Sequence, residues 1–401
     1  MKENKLPEGW EEVNLLKYVD VVKAGVKEYS GIKKYIATGD LETGKILGYT
    51  EYDYESKPSR ANMKVEINDV MFAKMKDTEK LFLITEKEKD YLFSTGFSIL
   101  RIKDYNKFIP KFLYYYIKSD LFQNLKNKNC NGGTQKALNE TKLKTFSLLR
   151  PPIETQKKIV ETLDLIEEAR TLRKETDEQS KEYLNAVFYE MFGDPVLNKK
   201  GWDMKKAEQL VIKHKNAIKA GPFGSSLKKE FYVPKGYKIY GQEQVIKDDF
   251  NYGDYYIDED RYKKLESCKI SEGDVLISLV GSYGNISIVP KEFEPGIINP
   301  RLMKISFDKN KFNPMYFKFL MNLENMKHKI QGLTHGGTMG ILNVGIIKKL
   351  EYPSPPITLQ NKFAEIVEQF EEMKKHQEIS KQNLEDLYNS TMQKAFRGEL
   401  K

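Results

Sequence analysis

The sequence predicts an α+β chain with an internal pseudo-twofold repeat, in which two globular α/β domains are separated by two long helices that form an antiparallel coiled coil. Short motifs recur at a shift of about 200 residues. Each copy is followed by a charged stretch free of Gly and Pro, with apolar residues at helical spacing. The parts between are rich in Tyr, Gly, Ile and Val in short runs broken by Gly, Asp and Asn, as strands are.

The first globular domain is read as residues 1–151. It opens on Leu6-Pro-Glu-Gly-Trp10, contains the strand-like run Thr95–Arg101, and carries a helical segment from Pro110 to Gln123, where Pro suits a first turn. The Tyr114–Tyr116 run in that helix reads as core packing. Gly132-Gly133-Thr134 and Pro151-Pro152-Ile153 close the domain. Residues 152–193 form the first long helix, entered at Pro152 and ended by Gly193, about 58 Å long. The second globular domain, 194–354, opens on Lys200-Gly-Trp202 and has a strand-like run at Gly273–Val280 and a helix at Pro314–Met326. Gly336-Gly337-Thr338, Pro355-Pro356-Ile357 and Gln360 repeat their counterparts at a shift of 204, and residues 355–401 form the second long helix.

Seven-residue spacing places Ile159, Ile166, Arg173, Ser180 and Val187 on one seam of the first helix, with Ala169, Thr176 and Tyr183 between. The second helix gives Phe363, Phe370, Gln377, Leu384 and Thr391, with Ile366, Met373, Ser380 and Leu387 between. Both seams have apolar ends and polar middles. Parallel and antiparallel pairing would each match middle to middle, and the long domain between them makes the antiparallel return the easier one.

Composition excludes several classes of function. At 401 residues, 40% hydrophobic and 31% charged, the chain is long enough for two or three domains and too polar for a membrane protein. It has no apolar run of spanning length, and Met1–Trp10 lacks a signal-peptide core, so a cytoplasmic location is expected. Cys130 and Cys268 are too far apart for a CxxC motif, and His214, His328, His335 and His376 form no HxxxH pair, so no metal site is expected. Gly39–Ile46 matches a phosphate-binding loop up to Ile46, which stands where the magnesium-ligating Ser or Thr is needed. Adenine methyltransferase motifs are missing too: Pro151-Pro152 and Pro355-Pro356 follow Arg and Ser, with no Asn or Asp to hold a flipped base.

The distribution of charge is more informative than its total of +8. Residues 154–191 carry six basic against ten acidic side chains and 358–400 six against eight, which leaves +14 on the globular parts. A basic excess confined to two domains and absent from their spacer suits two DNA readers, and a solvated lysine surface has the same charge. The candidate DNA contacts are loop residues that could reach phosphates or base edges. They are Lys74, Lys76, Thr95, Arg101, Gln135 and Lys136 in the first domain. In the second they are Ser225, Ser226, Lys228, Gln242, Tyr283, Asn285, Arg301 and Thr338, several within Gly221-Pro-Phe-Gly224-Ser225-Ser226, Gly281-Ser282-Tyr283-Gly-Asn285 and Asn299-Pro-Arg301. For Arg101 and Arg301 the alternative is a salt bridge beside a strand. Gln156, Gln360 and the exposed helix faces are assigned to structure or to partner docking.

The paired Gly-Gly-Thr loops, Leu148-Leu-Arg-Pro151-Pro152-Ile-Glu-Thr-Gln156 with its echo Pro355-Pro356-Ile-Thr-Leu-Gln360, Phe93–Arg101 and the terminal Ala395-Phe-Arg-Gly-Glu-Leu400 together resemble the DNA specificity subunits of type I restriction-modification systems. The resemblance covers essentially the whole chain. It implies two target-recognition domains, each reading one half of an asymmetric bipartite site on double-stranded DNA, with the helices as spacer and as docking platform for two methyltransferase subunits, which restriction subunits join. It implies a non-catalytic subunit with no cofactor of its own, S-adenosylmethionine, ATP and Mg being bound by the partners. The sequence departs from strict repetition where Met339-Gly-Ile-Leu-Asn343 stands against Gln135-Lys-Ala-Leu-Asn139, so Gln135 and Met339 are not given the same role. A second reading is a specificity-like DNA-binding module of another defence or regulatory assembly without a nuclease.

Overall fold

Phe97–Ile102 alternates little because both of its faces are covered: every residue but Arg101 is buried. It is an inner strand of an antiparallel sheet in the order Val19–Val21, Phe97–Ile102, Val70–Ala73, Leu81–Leu83. In this computed structural model the described residues are 6–132, 136–280, 284–333 and 342–400. They divide into two compact units, Met1–Glu175 with Glu378–Lys401, and Thr176–Gln377. The division cuts both long helices near their middles.

In the first unit a second sheet runs Thr50–Tyr52, Lys33–Ile36, Leu92–Ser94, Ala61–Lys64, with one parallel pair, Lys33–Ile36 beside Leu92–Ser94. Glu11–Asn14 pairs with Ser147–Arg150 in a separate antiparallel ribbon. The second unit repeats this plan. Its antiparallel sheet runs Ile218–Ala220, Leu302–Ile305, Val275–Ser278, Ile286–Ile288. Its mixed sheet contains Tyr237–Tyr240 parallel to Gly296–Ile298, and its ribbon joins Met204–Lys206 to Glu351–Pro353. Gly39–Ile46 ends in the short hairpin Leu41–Glu42/Lys45–Ile46, not in the strand-loop-helix of a phosphate-binding loop.

Each helix expected after a strand cluster is in fact two. Pro110–Lys118 stops at Ser119, whose hydroxyl accepts the Phe122 N–H and starts Asp120–Asn129. Pro314–Asn322 and Glu324–Leu333 repeat the break. Tyr114, Tyr115 and Tyr116 are buried, the last two with hydroxyls donating to Asp164 Oδ1 and the Ser147 carbonyl at 2.5 and 2.9 Å.

The long helices span Ile153–Phe192 and Ile357–Arg397. In the first unit Ile159, Leu163 and Ile166 of the central helix share a core with Tyr388, Met392, Ala395 and Phe396 of the distal one. Phe396 lies 5.2 Å from the Phe112 ring and 5.7 Å from Tyr116. Burying such a ring contributes about 2–3 kcal/mol. Within the second unit Phe188 meets Phe363 at 5.3 Å and Tyr183 stacks on Phe370 at 5.3 Å, so the two helix segments run antiparallel there. The expected seam holds at Ile159, Ile166 and Phe363 and drifts near the end of the distal helix. Leu387 is half exposed while Tyr388, Met392 and Phe396 turn inward. A straight helix slips about 20° per heptad, and here it must cover a globular core as well as another helix.

Candidate nucleic-acid interface

Three sequence-separated loops of the first unit meet at one place. The chain leaves the strand Val70–Ala73 at Lys74, whose N–H donates to the Gly96 carbonyl at 3.0 Å, while its own carbonyl accepts from Leu138 at 2.9 Å. The Lys76 N–H donates to the Lys136 carbonyl at 2.9 Å, and Met75 bridges Ala137. Lys74, Lys76, Thr95 and Lys136 are thereby gathered. Lys74 and Thr95 line a cleft of about 530 Å³, together with Lys23, Asn131 and Asn139, which that reading did not single out. The Lys74 ammonium is half buried, has no hydrogen-bond acceptor among the described residues, and is held below the ordinary lysine range by desolvation. A half-buried cation without a partner is electrostatically suited to an anion such as a phosphate. Lys76 and Lys136 are exposed, Lys76 with its ammonium 4.0 Å from Asp77. Gln135 lies outside the described residues.

Arg101 is the exception, and it is a correction to the expected contact set. Its Nε and Nη2 donate to Asp69 Oδ1 and Oδ2 at 2.8 and 2.7 Å, and Nη1 reaches Glu66 at 2.7 Å. Asp69 is wholly buried, so the guanidinium neutralises an internal carboxylate. The salt bridge beside a strand is the reading that applies.

In the second unit four segments converge. Leaving the strand Val275–Ser278, the Leu279 N–H donates to the Arg301 carbonyl at 2.9 Å. This bond is the topological equivalent of Lys74 N–H to Gly96, because the strands that flank it occupy the same places in the same sheet plan. The Gln242 side-chain amide donates to the Val280 carbonyl, bracing that loop. Ser278 and Asn285 hold each other across the turn, Ser278 N–H to Asn285 carbonyl and Asn285 N–H to Ser278 Oγ, both at 3.0 Å. The Gly221 N–H donates to the Leu302 carbonyl at 2.8 Å.

Arg301 is exposed and has no carboxylate partner among the described residues, whereas Lys228 pairs loosely with Glu230 at 3.6 Å. Ser225 is exposed and Ser226 half buried in a turn closed by Ser226 N–H to the Phe223 carbonyl at 2.8 Å. Tyr283 and Thr338 lie outside the described residues. The sequence reading quoted the Gly221–Ser226 loop but missed Phe223, which is 88% exposed. A usable signal was present: Lys219-Ala220-Gly221 repeats Lys23-Ala24-Gly25 of the first domain. Among the described residues no group of three or more His, Cys, Asp or Glu could hold a metal ion, and no helix is long and apolar enough to cross a membrane.

Comparison with known proteins gives a consistent family. The type I restriction modification DNA specificity domain matches this chain twice, over residues 7–182 and 199–385. The type I restriction enzyme MjaX specificity subunit of Methanocaldococcus jannaschii is 21% identical, over 99% of this chain and 95% of its own. A chain from a structure concerned with assembly and conformational transition of the type I R-M system has a TM-score of 0.64 at 20% identity, covering 99% of this chain and all of that one. The S subunit from M. genitalium gives 0.56 at 15% (99% and 98% covered), and the HsdS subunit from Thermoanaerobacter tengcongensis 0.50 at 21% (100% and 99% covered).

Proposed function

The chain belongs to the type I restriction-modification DNA specificity family, and from that premise we propose that each unit reads one half of an asymmetric, bipartite duplex site. One observation carries the reading. The same backbone bond joins the same two loops in both units, with a cation on opposite members: Lys74 on the donor side in the first, Arg301 on the acceptor side in the second. A shared frame with exchanged charges supports two related readers with different targets. Lys76, Thr95 and Lys136, and Ser225, Ser226, Lys228 and Asn285, are the further contacts to phosphate or base in this reading. Gln242 acts by holding the Val280 loop.

In the same proposal the helices Ile153–Phe192 and Ile357–Arg397 set the spacing between half-sites and dock two methyltransferase subunits, with restriction subunits joining that assembly. Exposed apolar residues such as Leu165 and Ile379 (67% and 61% exposed) support a docking role. This subunit supplies recognition, while adenine-N6 methylation and ATP-dependent cleavage, with S-adenosylmethionine, ATP and Mg, belong to the partners.

The test is single-molecule mapping of N6-methyladenine in the source genome with and without the gene. Loss of one motif with two defined, unlike ends and an unspecified middle is the expected outcome. Unchanged methylation, or loss of a contiguous palindrome, would overturn it.

A further inference from the structure

Phe223 is the most exposed of the large hydrophobic side chains among the described residues, at 88%. Leaving a phenyl ring in water forgoes the stabilisation that burial gives, and the surrounding backbone holds it there. Gly221 is pressed against the neighbouring strand connection: a Cβ added to it would stand 1.8 Å from the Asn299 carbonyl oxygen. Pro222 is buried, and the Phe223 carbonyl accepts the Ser226 N–H, closing a 3-10 turn immediately after the ring. The ring is thus carried on a braced loop whose Gly221 abuts Asn299 and Pro300, the segment that ends in the exposed Arg301, and it precedes the exposed Ser225.

We propose that Phe223 inserts as a wedge between two stacked base pairs of the half-site read by the second unit. This rests on the DNA-reading proposal above. Two properties favour a base step over a protein surface as the occupant. The segment that Gly221 abuts ends in Arg301, exposed and without a carboxylate partner among the described residues, and Ser225 of the same turn is exposed, groups suited to the phosphates and sugars flanking a base step. The ring's support is rigid, as a side chain that must force stacked bases apart requires. The first unit supplies an internal control: by strand register the residue in the Phe223 place is Val26, half buried and packed against a core of its own. The wedge therefore acts in one half of the target, and only that half is unstacked.

The experiment uses the full chain with its methyltransferase and duplexes carrying the site found by methylation mapping, with 2-aminopurine placed at successive positions in both halves. Apart from the target adenines, which the methyltransferase itself flips out, the native protein should raise fluorescence at one step in one half only. Phe223→Ala should abolish that rise and weaken binding about tenfold, while Phe223→Trp should retain both. On a duplex already interrupted at that step by an abasic site, Phe223→Ala and native protein should bind within about twofold, because there is no stacking left to break. No local fluorescence change with the native protein, or an equal loss by Phe223→Ala on intact and interrupted duplexes, would refute the wedge while leaving DNA reading intact. Retained fluorescence with loss of the methyltransferase would refute it in favour of a protein contact. Failure of the native protein to bind any duplex would instead sink the DNA reading on which it rests.

Discussion

Gln156 and Gln360, 204 residues apart, make the same set of bonds. Each is fully buried, with its Oε1 accepting the backbone N–H just before a short helix, Ile109 at 3.0 Å and Asn313 at 2.9 Å. Each Nε2 donates to the first proline of its Pro-Pro pair, Pro151 at 3.0 Å and Pro355 at 2.8 Å, and to Lys107 or Lys311 at 3.0 and 3.3 Å. One amide thus ties the start of each long helix to the loop that launches a domain helix. Of the two roles the sequence left open, structure is the one a buried, saturated amide serves. Gln156→Leu should leave the Ile109 N–H unpaired and cost about 2–3 kcal/mol, and Gln360→Leu a similar amount. Urea unfolding of the full chain measures both, and unchanged midpoints would show that these bonds do not hold the helix starts.

Arg101 and Arg301 should separate stability from binding. Arg101→Ala strands the buried Asp69 carboxylate and should cost about 2–3 kcal/mol of folding stability, less than a fully buried pair because the guanidinium is partly exposed. Arg301→Ala should leave the unfolding midpoint alone, weaken DNA binding about tenfold, and reduce the log-log salt slope by about one. The reverse pattern would exchange the two assignments.

Lys74 carries a pH signature. Its pKa is lowered by burial, so the unfolded chain binds this proton more tightly than the folded chain does. The resulting penalty is fully present below the folded pKa, fades as pH rises through it, and is gone above the ordinary 10.5. Lys74→Met should therefore be as stable as the native chain or more so at pH 7, with the difference shrinking toward pH 10, while its affinity for the target duplex falls. Denaturation at the two pH values and fluorescence anisotropy would check this, and a destabilised Lys74→Met at pH 7 would contradict it.

Arg170 donates from Nε and Nη2 to both Glu385 oxygens at 2.8 Å and lies 4.4 Å from the Tyr388 ring. Both partners are about a third exposed, so a double-mutant cycle should return only about 0.5–1 kcal/mol of coupling. Arg170→Ala alone should cost more, because it also uncovers Tyr388. A coupling of several kcal/mol would mean that solvent screens this pair far less than its exposure implies.

Leu165 and Ile379 test the docking role. Leu165→Glu and Ile379→Glu should each leave stability within about 0.5 kcal/mol, since neither side chain is in a core. They should reduce copurification of the methyltransferase. Full retention of the partner by both variants would move docking to another face.

Features set by local backbone chemistry were legible in the sequence. Pro152 and Gly193 bracket a helix that runs Ile153–Phe192, and Asn139 and Asn343, equivalent in the repeat, each cap a short helix through the side-chain oxygen. Loop convergence was legible only in part: Lys74 and Thr95 stand at strand ends, but Lys136 is far from them in the chain and joins through its carbonyl's bond to the Lys76 N–H, which spacing does not encode. The Arg101 to Asp69 pair was not legible, because its partners lie 32 residues apart and pairing depends on strand register. Phe223 was missed for the opposite reason. A phenylalanine is ordinarily assigned to a core, and its exposure follows from Gly221 being wedged against Asn299, which spacing does not encode.

The distal helix gives the first unit an unusual schedule. Phe112 and Tyr116 lack the ring that closes their cluster until Phe396 has been made, some 280 residues and a whole second unit later. At ordinary elongation rates that is a wait of about 15–60 s, long compared with the collapse of a small domain. The N-terminal unit is therefore the last to be finished, and truncated products should aggregate through it. Replacing Thr176–Gln377 as a block would leave this closing segment, Glu378–Lys401, in place, so the first unit would still be sealed.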